Sequence, residues 1–167
     1  MSPDERRKFI LNKLIDDKEV LKGQVLAEFL KVTRQIIVKD IAILKAEGHN
    51  IISTPKGYMI QQENKDLKKV IAVFHDEKDI ETELSIIVKY GGIIEDIRVE
   101  HAVYGEITAM LMIKTIYEVQ SFIQKLKDSK PLSALTGGVH LHLIRYKDEE
   151  MLQNILRELK EKNLLLE

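Results

Sequence analysis

The chain has 167 residues, 32% of them charged and 44% hydrophobic, an ordinary composition for one large globular domain or two small ones. Its 26 Lys and Arg against 27 Asp and Glu give a formal net charge of -1, which excludes a polycation that coats nucleic acid by charge alone but allows a local basic face. There is no cysteine, so disulfides, thiolate ligands and a cysteine nucleophile are excluded, and a transition-metal site must draw on carboxylates and the five histidines.

The chain opens on MSPDERRKFILNKL, which lacks the apolar stretch and small-residue cleavage site of a secretory signal. No later run approaches the roughly 20 apolar residues needed to cross a bilayer, so a cytoplasmic protein without membrane contact is expected. Ser2, Pro3, Asp4 and Glu5 read as a helix start: a cap, a proline at the first helical position and carboxylates near the positive dipole end. Ile10, Leu11, Leu14 and Ile15 continue that helix to about Asp17. A short second helix is expected over 23–30, with Val25, Leu26, Phe29 and Leu30 as its apolar face. Val32-Thr33 then forms a tight turn, and Thr33 can cap a third helix whose Ile37, Ile41 and Leu44 make one inward stripe. Gly48 fits the left-handed position that ends it. Asn50–Ser53 and Tyr58–Ile60 are β-prone, separated by the turn Thr54-Pro55-Lys56-Gly57.

Helix, helix, turn, helix, hairpin is the order of a winged helix-turn-helix, whose third helix is shaped to enter a major groove. Its exposed start offers Thr33, Arg34 and Gln35, with Lys39 one turn on. Arg and Gln can pair with guanine and adenine edges, Thr and Lys suit phosphates, and Lys56 at the hairpin tip suits the flanking backbone. Modules of this shape also serve in protein–protein contacts, so the pattern alone leaves both uses open. The run from Thr33 to Ile41, with Leu44, Gly48, Ile51 and Gly57-Tyr58, resembles the winged helix of the biotin-repressor type.

The polar stretch Gln61–Lys69 (QQENKDLKK) interrupts the apolar pattern and is expected to join two domains, 1–62 and 63–167. Charge divides near there. Residues 1–64 carry 11 basic and 9 acidic side chains, a net of +2, and residues 65–167 carry 15 and 18, a net of -3. Lys69–Phe74 reads as a buried strand ending at His75, and 79–90 as a helix with Ile80, Leu84, Ile87 and Val88 inward. Strands follow over 93–101 and 107–113, separated by a break at Tyr104-Gly105. A helix is expected to about Lys127, then a loop at Pro131 and Gly137-Gly138, a strand over 139–145 and a helix over 148–162. The order β-α-β-β-α-β-α predicts an α+β fold: a split β-α-β, ferredoxin-like sandwich with helices on one face of a mainly antiparallel sheet.

In the last strand, His140 and His142 point to the same face, with bases about 7 Å apart. If the first and last strands are neighbours, His75 approaches both, and Glu83 on the following helix can close the set. Three imidazoles and a carboxylate suit zinc, nickel or a similar divalent ion. A lone H-x-H pair is weak ground for a metal; strand order decides whether the four residues meet. His49, beside Gly48, reads as a solvated turn residue.

VFHDEKDIETEL, VEHAVYGEI and GGVHLHLI together are similar to the three-histidine (3H) domain. Joined to a biotin-repressor-like winged helix, the chain resembles the niacin-responsive transcriptional repressors of bacteria over nearly its whole length. The resemblance implies a repressor of NAD-biosynthesis or niacin-uptake genes, with nicotinic acid as co-repressor and a metal held by His75, Glu83, His140 and His142. His101 matches a further family histidine, which either lines a ligand pocket or bonds within the strand end. It is taken with its neighbours Tyr104 and Gly105 as a candidate ligand-binding group. A homodimer reading an inverted repeat of double-stranded DNA is expected, because two recognition helices then reach half-sites about 34 Å apart. The alternative is a regulator in which the divalent ion is itself the signal. A hydrolase is disfavoured because no general base stands out, and a biotin ligase because the chain has no glycine-arginine-rich loop for an adenylate.

Overall fold

The structure is a computed structural model, and it describes residues 1–17, 19–61 and 65–167. The chain divides into two compact units, Met1–Asn64 and Lys65–Glu167. The expected boundary at 62/63 and the centre of the expected join, residues 62–64, lie outside the described residues. Leu67–Lys69, the end of that stretch, already belong to a strand. Among the described residues no helix is long and apolar enough to cross a membrane.

The first unit contains α1 (Pro3–Asp16), α2 (Gly23–Leu30), α3 (Arg34–Ala46), β1 (Ile51–Thr54) and β2 (Gly57–Ile60). Ser2 accepts from the Glu5 amide while the Glu5 side chain accepts from the Ser2 amide, so two otherwise orphaned donors of α1 are satisfied reciprocally. Ile10, Leu14, Leu26, Ala27, Ile37, Ile41, Leu44 and Ile51 form the core. α2 turns differently from the expected face. Leu26 and Ala27 point inward, while Val25 and Phe29 are exposed, Phe29 stacking on Phe9 at 5.4 Å between ring centres. With eight residues the helix is too short for spacing to distinguish the two faces. Ile15 of α1 is exposed as well.

Among the described residues of this unit, Asp40 is the buried charge. It takes Arg6 Nε at 2.5 Å, with Arg7 NH1 at 3.6 Å, and so ties α3 to α1. The β1–β2 hairpin gains a third rung from Leu21, which exchanges two 2.8 Å backbone bonds with Tyr58. Gly57 permits this. Its φ is +142°, and a Cβ there would stand 2.3 Å from the Leu21 carbonyl oxygen.

The second unit contains β3 (Leu67–Phe74), α4 (Ile80–Lys89), β4 (Ile93–His101), β5 (Gly105–Ile113), α5 (Ile116–Leu126), β6 (Val139–Tyr146) and α6 (Glu149–Glu161). A short 3-10 turn, Glu77–Asp79, leads into α4, and another, Leu132–Thr136, precedes β6. The four strands form one antiparallel sheet in the order β3-β6-β4-β5. The fold is α+β as expected. β3-α4-β4 is split by β6, and β5-α5-β6 is split by β4. The inner pair, however, is β6 and β4, whereas a ferredoxin-like sheet has its first and third strands inside. β3 is also half-buried rather than a buried strand: Ile71 and Val73 face the core while Val70 and Phe74 are exposed. The apolar core lies between the sheet and the helices, with Ile71, Val73, Leu84, Ile87, Ile94, Leu111, Ile113, Ile144, Ile155 and Leu159 at its centre.

Candidate functional site

β6 pairs directly with β3, Val73 opposite His140 and Ile71 opposite His142. Alternation along β6 buries His140, His142, Ile144 and Tyr146 on the face that carries Ile71 and Val73. His75 stands one residue beyond β3. Its carbonyl lies so close to Gly138 that a Cβ at 138 would sit 2.3 Å from the carbonyl oxygen, and Gly138 has φ +101°. Only glycine fits there without strain. α4 passes over this end of the sheet and lowers Glu83 onto the histidines. His75, Glu83, His140 and His142 are 6%, 1%, 3% and 2% exposed.

Glu83 is the hub. Its Oε2 meets His75 Nε2 in a short contact and lies 3.3 Å from His140 Nε2; its Oε1 lies 2.8 Å from His142 Nε2. Beyond this approach from His142, the buried Oε1 has no hydrogen-bond partner. The rings stand edge to face, His75 to His140 at 4.9 Å and His140 to His142 at 4.8 Å.

The other ring nitrogens all meet backbone carbonyls. Nδ1–H of His75 donates to Asp76 O (2.8 Å), that of His140 to Gly138 O (2.8 Å) and that of His142 to Asp96 O (2.6 Å). A carbonyl can only accept, so each Nδ1 carries the hydrogen, and in a neutral ring Nε2 is the lone pair. Three lone pairs then converge on a carboxylate, an all-acceptor set that is stable only around positive charge. Protons on His75 and His142 are one source of it. Burial works to lower the His75 and His142 pKa values, but the hydrogen bonds and negative charge of Glu83 outweigh it and both are raised. Burial would raise the pKa of Glu83, but the charge of His142 and the hydrogen bonds of the three rings hold it well below the usual carboxylate range.

A divalent cation answers the same need. Ligand atoms of His75, Glu83 and His140 lie within 4.8 Å of one another, and His142 adjoins them through Glu83. The donor set is one that zinc or nickel accepts, and Nδ1–carbonyl bonds are how metal-ligating imidazoles are usually oriented. Those carbonyls had no signal in the sequence, since backbone groups carry no residue identity.

His101 closes β4. Its Nδ1 accepts from the Val103 and Tyr104 amides at 3.1 and 3.3 Å, and its ring lies 5.1 Å from that of Tyr104. It shares its strand face with Val99 and Ile97. Tyr104 is 74% exposed, and Gly105 occupies a turn position with φ +75°. These three residues lie at the end of the β4–β5 hairpin, where His101 pairs with Gly105, and are not part of the His/Glu cluster.

In the first unit, Thr33 caps α3 by accepting from the Ile36 amide at 3.3 Å. Arg34, Gln35 and Lys39 are exposed along the same helix. Lys56 is half-buried in the hairpin turn, its amide bonded to Thr54 Oγ1 at 3.2 Å.

A winged helix-turn-helix on a chain with a second α+β unit is the build of a DNA-binding transcription regulator. Residues 6–59 match an HTH domain and residues 68–167 match the 3H domain. The probable transcription repressor NiaR of Thermotoga maritima is 44% identical over 165 residues, 98% of this chain and 94% of the relative. The transcription repressor NadR of Bacillus subtilis is 37% identical over 167 residues, 96% and 93% of the two chains. The chain belongs to the 3H-domain family of transcription repressors, and its relatives are regulators rather than enzymes.

Proposed function

We propose that this chain is a repressor that couples operator binding to nicotinic acid through a divalent metal in its second unit. His75, Glu83, His140 and His142 would hold the ion, which is of zinc or nickel type. The observation that carries this is the convergence of three carbonyl-oriented imidazoles on one buried carboxylate. A bound ion supplies a Lewis-acidic centre for an anionic pyridine carboxylate. His101 Nε2, on the strand face shared with Val99, is the proposed protein contact for that ligand, with Tyr104 and Gly105 beside it.

DNA is read by α3, with Arg34 and Gln35 at base edges, Thr33, Lys39 and Lys56 toward phosphates, and two copies of the chain on an inverted repeat. The genes controlled are those for NAD biosynthesis or niacin uptake, in the cytoplasm. The ligand acts only if it binds the DNA-competent dimer more tightly than the other form. Burial of all four metal-site residues favours a second reading, in which the ion itself is the signal.

Operator binding titrated with nicotinate and then with metal, each after the other is stripped, separates the two. A requirement for nicotinate at saturating metal supports the first. Full operator affinity with metal alone supports the second, and indifference to both sinks both. Nicotinate affinity that survives loss of both His140 and His142 would show that the ligand is not held by the ion.

A further inference from the structure

The sheet is irregular where β4 passes the histidines. Between the pairs Ile94–Ile144 and Arg98–Leu141, four steps along β4 face three along β6, so β4 carries one extra residue. Glu95 and Asp96 occupy this stretch, and both are 2% exposed. They make different contacts. Glu95 pairs with Arg145 at 2.7 Å and Lys68 at 3.2 Å. Asp96 grips β6. Its Oδ1 accepts from the Leu143 amide at 2.8 Å, its Oδ2 takes Arg98 Nε and NH2 at 2.9 and 2.8 Å, and its main-chain carbonyl accepts from His142 Nδ1 at 2.6 Å.

In an uninterrupted antiparallel ladder, that carbonyl would be bonded to a strand amide in the plane of the sheet. A side chain on the sheet face stands perpendicular to that plane. Here a carboxylate oxygen replaces the strand carbonyl as partner of Leu143, so the backbone bulges and the Asp96 carbonyl is released to the imidazole. Arg98 neutralises the carboxylate and holds it in place.

We propose that Asp96 is a positioning residue of the metal centre: by stabilising the bulge it fixes the tautomer and ring angle of His142, aiming Nε2 at the site. The inference rests on the metal-binding reading above. Loss of groups that orient metal-ligating imidazoles costs about 10- to 100-fold in metal affinity.

The test uses the full chain, with Co²⁺ as probe, a competing chelator, and the visible ligand-field bands as a report on coordination. Asp96→Ala is expected to weaken Co²⁺ binding about 10- to 100-fold and to shift the bands. Asp96→Asn retains an acceptor oxygen for the Leu143 amide and should restore most of the affinity and the native bands. Glu95→Ala removes an equally buried carboxylate that touches no imidazole, and should leave the bands unchanged.

Failure of the unaltered chain to bind Co²⁺ would overturn the metal reading itself. Binding by the unaltered chain with Asp96→Ala unchanged would overturn the role of Asp96 alone. So would a matching band shift in Glu95→Ala, or no recovery in Asp96→Asn. Should Asp96→Ala not fold, nitrogen-15 NMR of the Zn²⁺-loaded unaltered chain decides: a slowly exchanging Nδ1–H on His142 is expected, and a proton on Nε2 refutes the proposal.

Discussion

Glu83→Gln separates charge from packing in the His/Glu cluster. The substitution keeps the side-chain volume and one acceptor oxygen, but removes the negative charge from a carboxylate 1% exposed among three imidazoles. In the metal-free chain His75 and His142 have raised pKa values because of Glu83, and Glu83 has a strongly lowered one because of them. A raised histidine pKa contributes stability that is complete below the unfolded value of about 6.5 and lost as pH rises through the folded value. A lowered glutamate pKa contributes stability present above about 4.5 and lost as pH falls through the folded value. The cluster therefore contributes most between about pH 4.5 and 6.5.

Removing one partner of a buried charge pair costs about 3–5 kcal/mol. Near pH ~5.5 the metal-free variant should therefore lose about 3 kcal/mol, a large share of the ~5–15 kcal/mol of a typical domain. The loss should shrink as pH rises above ~6.5 through the folded values of His75 and His142, and so be smaller near pH ~8.5 than near pH ~5.5. Urea unfolding of chelator-treated protein, followed by NMR signals of residues 65–167, measures both values. An equal loss at both pH values would refute the electrostatic coupling and leave packing as the cause.

Arg34→Ala should weaken operator binding, by about 1–3 kcal/mol if Arg34 pairs with a base, and leave nicotinate affinity unchanged; a normal footprint would contradict the role given to α3. Gly138→Ala forces a Cβ to 2.3 Å from the His75 carbonyl at φ +101°. It should cost more than about 2 kcal/mol and abolish metal binding, and near-native stability in a thermal melt would show that the β3–β6 junction has slack. Lys31, which ends α2 in the left-handed region with φ 54° and ψ 43°, is a strained non-glycine residue. Lys31→Gly should stabilise the first unit by up to about 1 kcal/mol, and a lower melting temperature would refute that. Metal-conferred stabilisation should grow as pH rises from about 5.5 to 8, since ligands must shed protons to bind; differential scanning fluorimetry with and without Zn²⁺ tests the slope.

Local chemistry written in the chain was enough to place most elements. Ser2, Thr33, Thr115 and Asp148 all cap helices by accepting from backbone amides, and a cap and its helix start lie within one turn of sequence. The stripes Ile37-Ile41-Leu44 and Ile80-Leu84-Ile87 are buried because helical spacing repeats over several turns. The two histidines of VHLHLI share a face for the same local reason.

What sequence could not decide was anything that depends on which elements become neighbours. Val25 and Phe29 are exposed because the core of this unit takes the Leu26–Ala27 side of α2. Val70 and Phe74 are exposed because helices cover only one face of the sheet. The convergence of His75, Glu83, His140 and His142 required β6 to lie beside β3 and α4 to pass above them. The carbonyls of Asp76, Gly138 and Asp96 complete the site through backbone groups that every residue possesses. Residue types thus determined which ion chemistry the cysteine-free chain offers, one carboxylate and three imidazoles. Tertiary structure set where those lone pairs meet: His75 and His140 are oriented by carbonyls one and two residues away, but His142 is oriented by that of Asp96, 46 residues distant, which only the pairing of β4 with β6 brings near.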